Sequence, residues 1–444
     1  MRIIKRCKIL MVLCFSAIII SGCTVSGGVE PEEISGGSTL YQSEIEDGSD
    51  EAVQYHTETK DSLEESMQAP AEMDPAETQD TWEKGYRLLL EQSVKEEAEA
   101  DCKGAMEKIR AVYMEADKGD ASNPMVGRES VSRMCTILRE TQCPVAAACF
   151  HYRMENYEKM DTFLTDCQNG KEGNIVLYKI NTGGGINRSQ FIFDGTGMYV
   201  IDTVSAWDGE NMPIVTASSY TRIKDWKYTE KGWFSYEYCV PEFPEVTEIV
   251  NGNYMLRVKP MPEEYIKIAE NYLLPISYQG NNLFRLSWDE EHLEDLDYAG
   301  LYEYLYLLKN QRAFGPQRNR DGIPKEEFEN LITEYLPITA EQLAKYAAFD
   351  EETQNYLWKR LGPLTYKANN FSLSIPEVTD ITENADGTIS VYIDAVCEPR
   401  GEDALIRHVL TMQFQDDGTV RYLRNQVLDE GPENIIEYQY RLPR

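Results

Sequence analysis

The chain has 444 residues, of which 43 are Lys or Arg and 76 are Asp or Glu, so its formal net charge is −33. Such an acidic surface repels nucleic-acid phosphates and anionic lipid headgroups, which argues against both as partners. A mean hydropathy of −0.48 excludes a protein with several membrane spans. The length fits roughly two to three domains.

Residues 1–22 have the features of a secretory signal peptide. Basic residues precede an apolar run from Ile9 to Ile20, which is shorter than the roughly 20 residues of a membrane span. Ile20-Ser21-Gly22-Cys23 resembles the lipobox of bacterial lipoproteins. The resemblance implies cleavage before Cys23 and attachment of a lipid to its thiol. The protein would then be held by this lipid on the outer face of the cytoplasmic membrane; an ordinary signal peptide is the alternative.

Residues 23–80 are predicted to form an acidic, disordered tether. Positions 24–80 contain sixteen acidic residues and a single Lys, Lys60, with several Gly and Pro and few large apolar side chains. Such a segment buries too little apolar surface to offset the entropy lost on folding. An acidic tail that captures a basic partner is the alternative.

From residue 81 the hydrophobic period indicates helices first and strands afterwards. The spacing predicts one long helix from Trp82 to Tyr113 and two more over 127–140 and 153–167, with Gly170 as a C-cap. Alternating patterns then predict strands at 175–178, 190–193, 198–204, 214–220 and 233–240, with 252–258 closing the sheet.

The second half repeats this order. Helices are predicted at 262–274, 298–309, 324–335, 339–348 and 351–361, and strands at 378–381, 388–396, 404–414 and 420–427. The fold class is therefore α+β, with helices packed on antiparallel meanders in two units, 81–258 and 259–444. Cystatin-like or NTF2-like sheets wrapped on a helix are one analogy for this architecture.

Three stretches resemble an uncharacterised family of surface lipoproteins. They are DWKYTEKGWFSYEYCV (225–240), YLLPISYQGNNLFRLSW (272–288) and NADGTISVYIDAV (384–396). The family is of unknown function and occurs in Gram-positive anaerobes of the clostridial type. The similarity covers most of residues 130–430 and implies secretion and lipidation, but no catalytic residue, substrate or cofactor.

The sequence contains no established catalytic or metal motif. It has no C-x-x-C, H-E-x-x-H, G-x-S-x-G or phosphate-binding loop, so we expect no catalytic residues, no metal and no cofactor. The acidic run from Asp289 to Asp297 is interpreted as a solvated helix start, with a calcium site as the alternative.

Seven cysteines follow Cys23, and the patterns favour buried, unpaired thiols for most of them. Because seven is odd, at least one is free or pairs between chains. Cys143 and Cys149 are the pair we expect if a disulfide forms, since they flank a short segment; a strand between them would keep them apart.

One polar run is predicted to contact a ligand. It lies between a predicted helix and Leu283-Phe284, and Trp288 follows closely. Amides beside aromatic rings suit the recognition of a sugar or a peptide. The alternative is a turn in which the asparagines bond their own backbone. The candidate ligand-binding residues are Tyr278, Gln279, Asn281, Asn282 and Trp288.

These patterns favour a lipid-anchored, non-enzymatic binding module at the cell envelope, with a peptide, a glycan or another envelope protein as its partner. The alternatives are a cell-wall or polysaccharide hydrolase that uses a carboxylate pair, and a structural envelope component. A solute receptor is disfavoured because no repeated βαβ units are visible.

Overall fold

The computed structural model describes residues 81–119, 125–315, 322–359, 370–428 and 438–442. Its helices are α1 (Gln92–Glu115), α2 (Arg128–Arg139), α3 (Tyr157–Gln168), α4 (Glu263–Ile268, continued by a π-helical turn, Ala269–Leu273), α5 (Tyr298–Asn310), α6 (Lys325–Tyr335) and α7 (Ala340–Tyr346). Short 3₁₀ turns lie at Asn370–Leu373 and Glu398–Arg400. The predicted signal peptide, Cys23 and the tether lie outside the described residues.

Fifteen strands form three sheets within these ranges. The first sheet contains β1 (Val145–Ala147), β2 (Phe150–Glu155), β3 (Gly173–Ile180), β4 (Ile186–Phe193), β5 (Met198–Trp207), β6 (Pro213–Tyr228), β7 (Trp233–Tyr238) and β8 (Asn253–Arg257). A small sheet contains β9 (Ile323–Pro324), β10 (Phe349–Asp350) and β11 (Asn355–Tyr356). The third contains β12 (Ile375–Glu383), β13 (Ile389–Val396), β14 (Arg407–Phe414) and β15 (Val420–Val427). The predicted α+β class is confirmed.

The first sheet is rolled. Its strand order is β2-β1-β3-β4-β5-β6-β7-β8, and only the β1–β3 pair is parallel. Although β2 and β8 stand at opposite ends of this order, they lie in contact with each other. All eight strands contribute to one apolar cluster with α3, from which Met160 and Leu164 are fully buried. The sheet therefore encloses its inward face, and α3 fills one end of the enclosure.

Helices α1 and α2 cover the outward face of the same sheet. On α1, Cys102, Met106, Ile109 and Tyr113 recur at steps of three or four and are buried, as an amphipathic helix requires. They pack against α2 and against outward residues of the sheet such as Ile186.

The long helix predicted from Trp82 is interrupted: residues 81–84 form a helical turn, and α1 begins only at Gln92. Gly85 and Arg87 have positive φ angles, which break a helix. The segment instead pairs with β6, where Arg222 N donates to Gly85 O and Leu88 N donates to Tyr220 O. The helix predicted at 351–361 is also wrong over its described residues, where β10 and β11 form a hairpin.

The two large sheets lie on either side of the boundary predicted near Lys259. Their apolar contacts cross it, since Tyr152, Trp233 and Met255 belong to the same cluster as residues of β12 and β13.

A buried ionic cluster also joins the two sheets. Glu377 is 2% exposed and accepts a hydrogen bond from Trp233 Nε1 at 2.7 Å. Its other oxygen pairs with Arg257 Nη1 at 3.1 Å. Lys231 bridges Glu377 and Asp394 at 3.3 and 2.9 Å. Because buried charges must be paired, this cluster stabilises one relative placement of the sheets.

We expect Glu377→Ala to lower the free energy of unfolding by about 3–5 kcal/mol, because it leaves Arg257 as an unpaired buried charge. The matched control is Glu402→Ala, which removes a half-exposed pair with Lys227 across the same junction and is worth at most about 1 kcal/mol. Urea unfolding measures both. Equal losses in the two variants would contradict a stabilising role for the buried cluster.

Candidate functional site

The strand directions bring a set of polar side chains to the end of the rolled sheet that α3 leaves open. On β4 and β5, Phe191 and Val200 face α3, and the next inward positions are Ser189 and Asp202. The same alternation places Lys179 inward on β3, two residues beyond Leu177. The strands thus change from apolar to polar along the enclosed face.

Asp202 is the central carboxyl group of this end. Its Oδ1 accepts a hydrogen bond from Ser189 Oγ at 2.5 Å, and its Oδ2 accepts one from Tyr238 OH at 2.9 Å. Desolvation raises the pKa of Asp202, although both hydrogen bonds favour the charged form. Asp202 is half-buried, and we call the space that this end of the rolled sheet surrounds the recess.

Three tyrosines form one wall of the recess. Tyr236 and Tyr254 are stacked at 5.7 Å between ring centroids, and Tyr238 meets Tyr254 edge-on at 4.9 Å. Burial and the nearby Asp202 carboxyl raise the pKa of the Tyr236 and Tyr238 hydroxyls, which therefore stay protonated and can donate hydrogen bonds.

Lys179 lies within electrostatic reach of both His151 and Glu398, and these three groups form a second wall. Desolvation, with further contributions from Lys179 and Arg128, lowers the pKa of His151 to about 4, so the ring is neutral at pH 7. The side chain of Glu398 is exposed, yet desolvation raises its pKa and Lys179 offsets this only in part. Glu398 also acts on the pKa of Tyr236, which connects the two walls.

Several polar atoms here have no partner among the described residues. The Lys179 ammonium and the Glu398 carboxylate form no hydrogen bond or ion pair there. Asn187 Oδ1 is buried and without a hydrogen bond, although nearly all buried polar atoms of folded proteins are bonded. Asn187 is the cross-strand neighbour of Lys179. We call the following residues the open-end cluster: His151, Lys179, Asn187, Asp202, Tyr238 and Glu398.

The open-end cluster combines charged donors and acceptors, a neutral imidazole and aromatic faces in a partly closed space. Perturbed pKa values together with unsatisfied polar atoms are features of binding and catalytic sites. Sequence reasoning missed this cluster because β4 and β5 were interpreted only as half-buried strands. The sequence does contain one indication of it: Ser189 and Asp202 stand two residues from Phe191 and Val200, so the period of two places these polar residues on the same inward face as the apolar ones.

The structure places the predicted ligand-binding loop in the interior. Tyr278, Asn281 and Asn282 are 0% exposed and Trp288 is 3% exposed. Asn281 Nδ2 donates to Ile276 O at 2.8 Å, and Asn282 Nδ2 donates to Asp295 O at 2.9 Å. Trp288 Nε1 donates to Leu283 O.

Gln279 of the same loop is half-buried, and its backbone carbonyl accepts a second bond from Asn281 Nδ2. These contacts favour the alternative of a self-bonded turn, because a ligand would have to displace backbone hydrogen bonds. We assign the loop a structural role.

Tyr278 also belongs to a buried polar chain. Its hydroxyl lies 2.9 Å from His408 Nε2, and His408 Nδ1 lies 2.6 Å from Asn425 Oδ1. Burial lowers the pKa of His408 to about 4, so the ring is neutral and can serve both partners. Since all three side chains are fully buried, this chain supports the β14–β15 pair rather than an accessible site.

The seven described cysteines are all free. Cys102, Cys135 and Cys167 lie in apolar clusters, as expected. The expected pair of Cys143 and Cys149 is not joined, and β1 runs as an extended strand between the two residues.

The described ranges contain no group of three or more His, Cys, Asp or Glu side chains placed to hold a metal ion. Within the acidic run 289–297, Asp297 caps α5 by accepting from Gly300 N. None of the described helices combines the length and the apolar character needed to span a bilayer.

Fold and site together define an α+β protein with a rolled sheet and a polar recess at its open end. The chain belongs to a family of unknown function, DUF6070, whose model matches residues 95–441. No curated protein and no solved structure matches the chain. The cystatin-like or NTF2-like analogy therefore stays a prediction.

Proposed function

We propose that this protein is a lipid-anchored binding module of the cell envelope, and that the open-end cluster holds a small polar ligand. The observation that carries the proposal is the unpartnered charge at the open end of the rolled sheet. An amide oxygen buried without a partner, as in Asn187, costs free energy, and the Lys179 ammonium and the Glu398 carboxylate have no ion pair among the described residues. A ligand with complementary groups would supply the missing partners.

The anchor is supported by the N-terminal sequence. A basic start, an apolar run too short to span a bilayer and Cys23 after Ser21-Gly22 occur together in bacterial lipoproteins. The acidic segment from 24 to 80 would hold the folded part away from the membrane surface, since like charges extend a chain. This arrangement would leave the recess open to ligands outside the cell.

Binding is favoured over catalysis because the cluster contains no activated nucleophile. Ser189 Oγ donates to Asp202, and desolvation lowers the pKa of His151. One observation favours a hydrolase as the second candidate. Asp202 and Glu398 both have raised pKa values, and both act on the pKa of Tyr236. Pairs of carboxyl groups in different environments perform general acid and base catalysis in glycosidases.

A thermal-shift panel on the full chain tests the binding proposal. The panel contains muropeptides, oligosaccharides, short peptides and calcium. A ligand at 100 times its dissociation constant adds about 2.7 kcal/mol to the free energy of unfolding. We expect one class to raise the melting temperature by several degrees, and Asn187→Trp to abolish that shift by filling the recess.

Ser132→Trp is the matched control, since Ser132 lies exposed on α2, outside the recess. It should keep the shift. A shift that survives Asn187→Trp, or no shift with any class, would contradict binding at the open end. Release of a product from an oligosaccharide would favour the hydrolase.

The anchor is tested by Cys23→Ser. Lipidation needs the thiol, so cells that express the wild-type chain should incorporate labelled fatty acid into it and retain it in the membrane fraction. We expect the variant to lose the label and to leave the membrane fraction. Unchanged membrane retention without label would contradict the lipid anchor.

A further inference from the structure

We infer that the ligand of the open-end cluster is a short peptide of two or three residues with free amino and carboxyl termini. This inference rests on the proposed function and names the ligand class. Its basis is the distribution of charge in the recess, where a negative group, Asp202, and a positive group, Lys179, lie two strands apart on the inward face and form no ion pair with each other.

Asp202 suits the amino terminus. The partners of its carboxyl oxygens are hydroxyl groups, Ser189 Oγ and Tyr238 OH, and no cation contributes to its electrostatics within the described residues. Its negative charge is therefore stabilised by hydrogen bonds but not balanced. A ligand ammonium would balance it, and the adjacent tyrosine rings attract cations through their faces.

Lys179 suits the carboxyl terminus. Its ammonium has no ion pair in the described ranges, and its cross-strand neighbours, Asn187 and Ala146, are uncharged. Glu398 lies within electrostatic reach of Lys179 but forms no ion pair with it among the described residues. A ligand carboxylate would form a charge-assisted hydrogen bond with Lys179.

The distance between Lys179 and Asp202 fits a short peptide better than a single amino acid. Lys179 and Asp202 lie on strands two positions apart, with an offset of two residues between their registers. Standard sheet spacing places their Cα atoms about 12 Å apart. An extended chain of two or three residues spans roughly 7–10 Å, and the side chains supply the rest.

Asn187 lies between Lys179 and Asp202 in the sheet. It pairs with Lys179, and Ser189, two residues further along β4, pairs with Asp202. Its unsatisfied Oδ1 can accept a hydrogen bond from a peptide N–H. A peptide would thus satisfy the ammonium, the carboxylate and the orphaned oxygen together.

The test uses ligand-observed NMR with the full chain and three equimolar tripeptide libraries. The first has free termini, the second is acetylated at the amino terminus, and the third is amidated at the carboxyl terminus. We expect the free library to bind and each blocked library to lose at least about tenfold in affinity, since each lacks one charged contact.

Two variants and two matched controls assign the ends. Asp202→Asn should weaken binding of the free library about tenfold, and acetylation of the peptides should cause no further loss. Its control is Asp225→Asn, on the exposed part of β6, which should leave binding of the free library unchanged. Lys179→Met should weaken binding of the free library about tenfold, and amidation of the peptides should cause no further loss. Its control is Lys171→Met, at the far end of the sheet, which should leave binding unchanged.

Equal binding of free and blocked libraries would overturn the inference, as would no binding of the free library. If another class still binds in the panel and Asn187→Trp abolishes that binding, the proposed function stands and only the peptide is excluded. If no class binds, both fail.

Discussion

The closure of the eight-stranded sheet on itself is the constraint on which the rest of this structure depends. Because β2 meets β8, the inward face can exclude water only where it is filled, and α3 fills one end with Met160, Phe163 and Leu164. Among the described residues, no α-helix fills the other end. There the side chains are Ser189, Asp202 and Lys179, and desolvation raises the pKa of Asp202.

The second half of the chain fixes this geometry from outside. Trp233 and Arg257 stand on the last two strands of the rolled sheet and both contact the buried Glu377 on β12. The same half contributes Glu398, which reaches the open end from the 3₁₀ turn after β13. The candidate site is therefore built by both halves, although most of its residues belong to the first.

Much of the secondary structure could be predicted because it depends on local patterns. The hairpin turn at Asp194, where the carboxylate accepts from Thr196 N and Gly197 N, and the positive φ of Gly170 follow from short-range chemistry. The rolling could not be predicted, since the contact between β2 and β8 joins residues about a hundred positions apart.

The surroundings of the predicted ligand-binding loop also depend on packing that the local sequence does not show. Asn281 and Asn282 look like a recognition loop in sequence, yet their amides bond backbone groups of the same loop and of the segment before α5. Asp202 looks like an ordinary strand residue, and only the packing of distant strands makes it unusual. Local polarity therefore does not by itself identify a site, because the function of a polar group depends on what encloses it.

The central claim is that the open end is an enclosed, desolvated recess, and the titration of Asp202 tests it most directly. Carboxyl carbon shifts of ¹³C-labelled Asp, assigned with Asp202→Asn, give its pKa in the full chain. The account predicts a value above the ordinary 3.8, with a further rise in Tyr238→Phe, which removes a hydrogen bond to the charged form. A pKa at or below 3.8 would mean that water or a cation already stabilises this carboxylate, and would contradict the account.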